Sequence, residues 1–402
     1  MTTRRSFVKR TNNKNRTNNK NRTKRINQQG GVGLDTVWIV NNKEPILSMA
    51  FHHREVAIGS CVGTEHHHAN VNLFNLPRRL FRKRHRSNGS PKGSLKGSPN
   101  GSPMEFVDRQ VHASSCSVTS VAFHPTAPLL ATGSYDGTVK LWNLSSSLET
   151  SVATLAGHSR QVSSVAFHPT APLLATGSYD MTVKLWNLSS SLENSVATIN
   201  NNYKIVTSVA FHPTKLLLAI GSNDTTAKLW ELSDNYSSTT CVEILADHKG
   251  VVFSVAFHPT APFLATCSAD NTAKLWKLSD DYSSTTCVAT LEGHKGEVRS
   301  VTFHPKYPFL ATGSDDTTAK LWSISPNGSP ATCVDTLEGH TSSVSSVAFH
   351  PTAPLLATGS YDKTVRFYNF NQYTENEILS HVFKREHQQK IGSKRRKRSP
   401  TK

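Results

Sequence analysis

The sequence predicts an all-β chain folded as a β-propeller, a ring of seven four-stranded antiparallel blades, and three observations carry that prediction. The first is self-copying: residues 120–149 read SVAFHPTAPLLATGSYDGTVKLWNLSSSLE, and residues 164–193 repeat the phrase with Gly137 changed to Met181. The second is a ruler. Phe-His-Pro recurs at Phe123, Phe167, Phe211, Phe257, Phe303 and Phe349, with spacings of 44, 44, 46, 46 and 46 residues. The third is texture: SVAF, LLATGS and TVKLW are short, rich in Val, Leu and Thr, and punctuated by Pro, Gly, Ser and Asp, as strands are. A four-stranded sheet of about 45 residues buries too little alone and leaves its edges open, so it stacks on its copies and closes a ring.

Taken in order, residues 1–34 form a basic tail predicted to be disordered. Its first 30 residues hold ten Lys or Arg and no acid, and they lack the apolar core of a secretory signal. The propeller is predicted over 35–370. DTVWIVNN (35–42) aligns with CVDTLEGH ahead of a later unit, so Thr36 to Val40 is expected to supply the outer strand of the last blade and latch the ring. A rival for that place is NEILSHVF (376–383), which resembles VEILADH. The divergent first repeat follows, with ILSMAFHHREVAIGS (46–60) and VNLFNL (71–76) matching the opening and closing phrases. Residues 77–104 are a basic insertion rich in Gly, Ser and Pro. EFVDRQVH (105–112) reads as the next outer strand, and six clear repeats fill 105–370. Residues 371–402 form a second basic tail, containing KRRKR at 394–398.

The phrases L-x-G-H, V-x-x-V-x-F-x-P and A-T-G-S-x-D-x-T-x-K-L-W resemble the WD40 repeat family, over residues 35–370. Departures occur: Asn143, Asn187, Glu231, Lys277 and Ser323 stand where the family has Asp after Trp. The resemblance implies a structural hydrogen-bonded tetrad of His, Thr, Asp and Trp. It falls on His158, Thr176, Asp180 and Trp186, on His248, Thr266, Asp270 and Trp276, and on His294, Thr312, Asp316 and Trp322. The last unit offers His340, Thr358 and Asp362 and ends in Tyr368. Two units are defective. Ser114 replaces the His that should precede Asp136, and Asn202 and Ile220 replace the His and Thr that should precede Asp224.

Function is expected to be binding without catalysis. His, hydroxyl and Asp are the residue types of a hydrolase triad, but here the set recurs and the resemblance assigns it to a turn. No G-x-S-x-G, H-E-x-x-H or G-x-x-x-x-G-K-[ST] occurs. No metal or other cofactor is expected, because the side chains of His66, His67 and His68 diverge and no carboxylate or Cys pattern completes a site. The resemblance places partner contacts three and five residues after the tetrad His and one before the tetrad Asp, on the top face. That selects Gln161, Val251, Phe253, Glu297, Arg299, Tyr135, Tyr179, Asp315 and Tyr361, with Ile205 by alignment. Proteins or peptides are the partners expected there, for a monomeric propeller within a larger complex.

Charge supplies the alternative. Of 45 Lys and Arg, 27 lie in residues 1–30, 77–98 and 384–402, where Glu386 is the single acid, although the whole chain carries +17. Arg78, Arg79, Arg82, Lys83, Arg84 and Arg86 in the insertion, and Lys394, Arg395, Arg396, Lys397 and Arg398 in the tail, are candidate anion-binding residues. Three readings stand open for these segments: solvated chain, nuclear import, or binding of nucleic acid or an acidic protein. Ser90 and Ser399 each precede a Pro within this basic chain and are candidate phosphorylation sites. No run of 18 apolar residues is present, so a membrane helix is not expected. Cys241, Cys287 and Cys333 sit at one repeat position, too far apart for disulfides. Free thiols in an intracellular compartment, cytoplasmic or nuclear, are the expectation.

Overall fold

The structure, a computed structural model, describes residues 36–53, 55–60, 69–76, 109–114, 116–145, 151–189, 192, 194–202, 204–326, 328 and 330–369. A leading strand, β1 (Thr36–Asn41), precedes the units. The first blade is β2 (Ile46–His52), β3 (Glu55–Ser60), β4 (Ala69–Asn75) and β5 (Arg109–Ser114); the second is β6 (Val118–Phe123), β7 (Leu129–Ser134), β8 (Val139–Asn143) and β9 (Ala153–Leu155). The third is β10 (Val162–Phe167), β11 (Leu173–Ser178), β12 (Thr182–Asn187) and β13 (Ala197–Asn200); the fourth is β14 (Val206–Phe211), β15 (Leu217–Ser222), β16 (Ala227–Leu232) and β17 (Thr239–Leu245). The fifth is β18 (Val252–Phe257), β19 (Phe263–Ser268), β20 (Ala273–Leu278) and β21 (Thr285–Leu291); the sixth is β22 (Val298–Phe303), β23 (Phe309–Ser314), β24 (Ala319–Ile324) and β25 (Ala331–Leu337). The seventh takes β26 (Val344–Phe349), β27 (Leu355–Ser360) and β28 (Thr364–Asn369) from the end of the chain and β1 from its beginning, in the order β1-β28-β27-β26.

Every blade is antiparallel throughout, and the first strands pack side by side around a closed circle in which β26 meets β2. The ring is latched by the N-terminal strand, as expected: Ile39 pairs with Arg366 and Asn41 with Thr364. The rival segment 376–383 lies outside the described residues, as do the tail 1–34, the insertion 77–104 and the tail 371–402. Strand β5 begins at Arg109, later than the sequence reading of 105–112. Among the described residues no helix is long and apolar enough to cross a membrane.

Burial follows position in the blade. The second strand is enclosed by neighbours on both sides, and Leu173–Ser178 is buried throughout, which is why it reads as an unbroken run of small and apolar residues. Neighbouring blades approach closely at its end, where a Cβ added to Gly177 would lie 2.5 Å from Val206 Cγ1. Third strands alternate, burying Val183, Leu185 and Trp186. Outer strands are mostly open to water, and Cys241, Cys287 and Cys333 sit there opposite Trp230, Trp276 and Trp322 beside a β-bulge. Cys241, Cys267, Cys287 and Cys333 are free thiols.

Serines bind one blade to the next. Ser48, Ser120, Ser164, Ser208, Ser300 and Ser346 each accept the N–H of a first-strand residue in the following blade, as Ser120 Oγ does from Val165 at 3.1 Å. These bonds explain why Ser recurs at the third residue of the first strand, a position that packing alone would give to an apolar side chain.

Candidate functional site

The tightly turned loop after each second strand sets the geometry of one face. In the third blade, Trp186 Nε1 donates to Thr176 Oγ1 (3.0 Å), His158 Nε2 meets the same hydroxyl (2.8 Å), and His158 Nδ1 meets Asp180 Oδ2 (2.8 Å). The Asp180 carboxylate also accepts from the Ser159 and Thr182 amides and the Thr182 hydroxyl. Burial alone would raise its pKa, yet these donors hold it well below the usual carboxylate range. The same circuit joins His248, Thr266, Asp270 and Trp276, and joins His294, Thr312, Asp316 and Trp322. Against desolvation, their donors bring Asp270 and Asp316 to about 2.

In the seventh blade His340 reaches Asp362 (2.8 Å) and Thr358 (2.7 Å), and Tyr368, 1 % exposed, pairs with Leu356 in the register Trp186 takes with Leu174. Desolvation lowers the pKa of His248, His294 and His340 against the pull of their aspartates. A neutral imidazole then donates from Nδ1 to the carboxylate and accepts the Thr hydroxyl at Nε2. Each polar atom of the circuit is taken up within its own blade, so the set ties a loop to its strands.

The defective units are wired differently. Asn201, 1 % exposed, takes the buried place in the fourth blade, whereas Asn202 turns outward with a φ of 48°; the alignment on Asn202 is therefore corrected to its neighbour. Asn201 donates to Ser222, and Lys228 Nζ bridges Asn201 Oδ1 and Asp224 Oδ2 at 2.8 Å each. The first blade is built on the same plan, with Asn72 donating to Asn42. Both blades carry Ile at the tetrad Thr position, Ile220 and Ile58, fully buried. The recurrence of this exchange in the first blade, at Asn42 and Ile58, was readable in the sequence and was missed there. In the second blade Trp142 still donates to Thr132 (3.1 Å), but Asp136 is exposed and accepts from Thr138.

The positions proposed for partner contact are brought together in pairs by backbone bonds. Tyr179 donates to the Gln161 carbonyl, Asn223 to that of Ile205, Ala269 to that of Val251 and Asp315 to that of Glu297. Tyr135 and Tyr361 make the same bond to Ser117 and Ser343. Tyr135, Tyr179 and Tyr361 project outward, 59 %, 37 % and 42 % exposed.

One sector is more elaborate. Arg299 grips Asp315 through Nε and Nη2 (3.0 and 2.7 Å), reaches Glu297 at 2.6 Å, and lies 4.2 Å over the Phe253 ring. Desolvation works against its charge, but Asp315 and Glu297 raise its pKa further. Their two carboxylates leave this cluster with a net charge of −1 by residue type.

The repeat shows what this sector replaced. Five residues after the tetrad His position, Thr119, Ser163, Thr207 and Ser345 donate a hydroxyl to the first-strand carbonyl of the next blade, as Ser163 does to Val206 at 2.6 Å. Leu47, Phe253 and Arg299 stand at that position in the other three blades. At the seam between blades five and six, Cys267 also replaces the Gly of its neighbours and is fully buried, and burial pushes its thiol well above the usual thiol range, so that it stays protonated. Nothing in the sequence reading marked Cys267.

Among the described residues no group of His, Cys, Asp and Glu is placed to hold a metal ion. His66, His67 and His68, and the candidate anion-binding Arg and Lys residues of the insertion and the C-terminal tail, lie outside the described residues.

The family model of the WD domain, G-beta repeat, matches residues 107–143, 149–187, 193–231, 239–277, 285–323 and 331–369. Each matched stretch takes in the outer strand of one blade and ends in the third strand of the next. Comparison with curated proteins gives no match.

Proposed function

The chain belongs to the WD40 repeat family, whose propellers are typically non-catalytic scaffolds, and we propose that it serves as such a scaffold, intracellular and without cofactor, binding a protein or peptide on the face that carries the tyrosines. The observation that supports this reading is the exchange of hydroxyls for Phe253 and Arg299. Four blades keep a hydroxyl bridge to the next blade at this position, the divergent first blade has Leu47, and two adjacent regular blades give it up for an aromatic ring and a cation stacked on it. Groups that break a local rule without gain to the fold are where function is sought. Phe253, Arg299 and the exposed Tyr361 and Tyr179 are also the residue types that anchor interfaces. The arginine is held rigid by two carboxylates, so ordering it on binding costs little entropy.

The test is reversion to the repeat. Phe253→Ser with Arg299→Ser restores a hydroxyl at each site and is expected to leave thermal stability within a few degrees of the parent, while proteins captured by the parent propeller are lost. Capture unchanged by this pair, or by Tyr179→Ala and Tyr361→Ala added to it, overturns the assignment.

A second reading, binding of nucleic acid or an acidic protein through the basic segments, rests on where the described chain leaves off. Strands β4 and β28 are third strands of adjacent blades and end on the same face, at Asn75 and Asn369, and β1 begins there with Thr36 opposite Tyr368. The three basic segments are therefore attached to one sector, opposite the tyrosine face. A steep loss of affinity for a DNA or RNA duplex with rising salt, flattened by deleting each segment, supports this reading; no binding at low salt rejects it.

A further inference from the structure

The Phe-His-Pro histidines, silent in the sequence, are used at every seam. His124, His168, His212, His258, His304 and His350 follow the first strands of blades two to seven, and each ring packs on the Phe of the next blade. His168 meets Phe211 at 5.0 Å between centroids, His212 meets Phe257 at 5.1 Å, and His304 meets Phe349 at 4.9 Å. His350 meets Phe51 across the closure at 5.2 Å, and His52 of the first blade stacks on Phe123 at the same distance. With His124 on Phe167 and His258 on Phe303 the circuit is complete, one pair per seam.

Geometry fixes the protonation state of these rings. The Nδ1 atom of each of the six faces two backbone N–H groups of its own turn; for His168 these belong to Thr170 (3.1 Å) and Ala171 (2.9 Å), and for His304 to Lys306 (3.0 Å) and Tyr307 (2.9 Å). On the other side, His168 Nε2 donates to the Lys215 carbonyl of the next blade, and His350 Nε2 to that of His53. Such a ring must carry its proton on Nε2 and keep Nδ1 as an acceptor. An imidazolium has no acceptor, and on gaining a proton it would point an N–H at two others.

We propose that these histidines form an acid-labile clasp, tying each blade to the next while neutral and loosening the ring together when they take up protons. The surroundings reinforce the neutral form. Lys215 flanks His212, Lys306 flanks His304, and His53 stands beside His52 and His350; acting the other way are the Glu55 carboxylate beside His52 and the Lys215 and His53 carbonyls that accept from His168 and His350. Tyr282 and Tyr307 close over His212 and His304 without charge. Burial lowers the pKa of the whole set, and of His212 and His304 to about 4.

The sign follows from the unfolded chain, where His titrates near 6.5. A folded pKa below that value means the unfolded state binds more protons, so stability is full above about pH 6.5 and falls as pH drops toward 4. For a group moved from 6.5 to about 4, the unfolding constant rises about 30-fold between pH 7.5 and 5.0. The tetrad aspartates are silent in that window, since they remain ionised throughout it.

Asn offers Oδ1 where His has Nδ1 and does not titrate, so His212→Asn with His304→Asn isolates the effect. Urea unfolding of the full chain at pH 7.5 and 5.0 is expected to show a pH dependence several hundred-fold smaller, by the same linkage of about 30-fold per site, in this double variant than in the parent. The tetrad histidines are present in both proteins and cancel. An equal pH dependence overturns the proposal. Where the variant fails to fold, imidazole resonances of the parent decide: His212 and His304 neutral at pH 5 supports the clasp, and titration near pH 6.5 overturns it.

Discussion

Replacing Asp180 by Ala tests whether the hydrogen-bonded circuit matters beyond holding a familiar pattern. The carboxylate accepts four bonds: from His158 Nδ1 (2.8 Å), the Ser159 amide (3.0 Å), the Thr182 amide (3.0 Å) and the Thr182 hydroxyl (2.6 Å). The Asp180 side chain is 8 % exposed and that of His158 is 1 % exposed. Truncation lets water reach the Ser159 amide at the rim but strands the imidazole, and a buried donor without a partner costs about 1–3 kcal/mol. With the weakened bonds at Thr182 added, the expected loss is about 3 kcal/mol. Asp136 is the internal control, because it is exposed and its bonds go to Thr138, in a blade whose His position holds Ser114. Asp136→Ala is expected to cost under about 1 kcal/mol, as surface changes do. Urea unfolding at pH 7.5, where both carboxylates are ionised, should separate the two midpoints by about 1 M for a slope in the usual range. Equal shifts would refute the argument, since it assigns the larger loss to the buried imidazole of His158.

Two further outcomes follow from the same geometry. Lys228 is 5 % exposed and bridges Asn201 and Asp224, so Lys228→Met is expected to cost about 2 kcal/mol by taking the cation from the half-buried Asp224 carboxylate; Lys184→Met, at the same position in the third blade, should be near neutral by thermal melting. Acid unfolding should show a second phase below pH 4: Asp270 and Asp316, lowered to about 2, stabilise the ring above the unfolded carboxylate pKa and lose that contribution as pH falls through their folded values. Asp270→Asn with Asp316→Asn should diminish that phase in a circular-dichroism pH titration, Asp180 and Asp362 supplying what remains, and an undiminished phase counts against the assigned donors.

The ring was legible because its period was. Seven units, the antiparallel blades and the N-terminal latch follow from spacing and from the alignment of DTVWIVNN with later outer strands, and β1 pairs with β28 accordingly. What escaped the sequence were bonds that depend on which atom a turn brings inward. Counting along the chain put Asn202 where the structure puts Asn201, because the loop before β14 turns through a positive φ at Asn202. Lys228 reads as one more polar residue on an alternating strand until Ile220 removes the hydroxyl that the other blades use. The histidines after each first-strand Phe served the sequence reading only as a ruler, since a neutral ring shared between a turn and the next blade has no signature in one unit. It exists only across a seam.

The single difference between the two copied phrases shows how such a chain drifts. Gly137 sits at a φ of 84° and Met181 at 72°, and the same turn holds Thr225, Asn271, Thr317 and Lys363 in the left-handed region. The turn takes that conformation in blades two to seven, where the preceding Asp folds back onto the loop, yet only the second blade has a Gly there. A Cβ on Gly137 would also come within 2.8 Å of the His158 carbonyl and 3.0 Å of that of Arg160. Gly137→Met is therefore expected to destabilise by about 1–2 kcal/mol, the usual left-handed penalty, and Met181→Gly to stabilise by under about 1 kcal/mol because the unfolded chain gains freedom in return. Differential scanning calorimetry of the two reciprocal variants should give melting shifts of opposite sign, the loss larger than the gain. If both shifts are negative, the third blade has repacked around Met181 since the copies parted, and near-identity of sequence no longer means identity of environment.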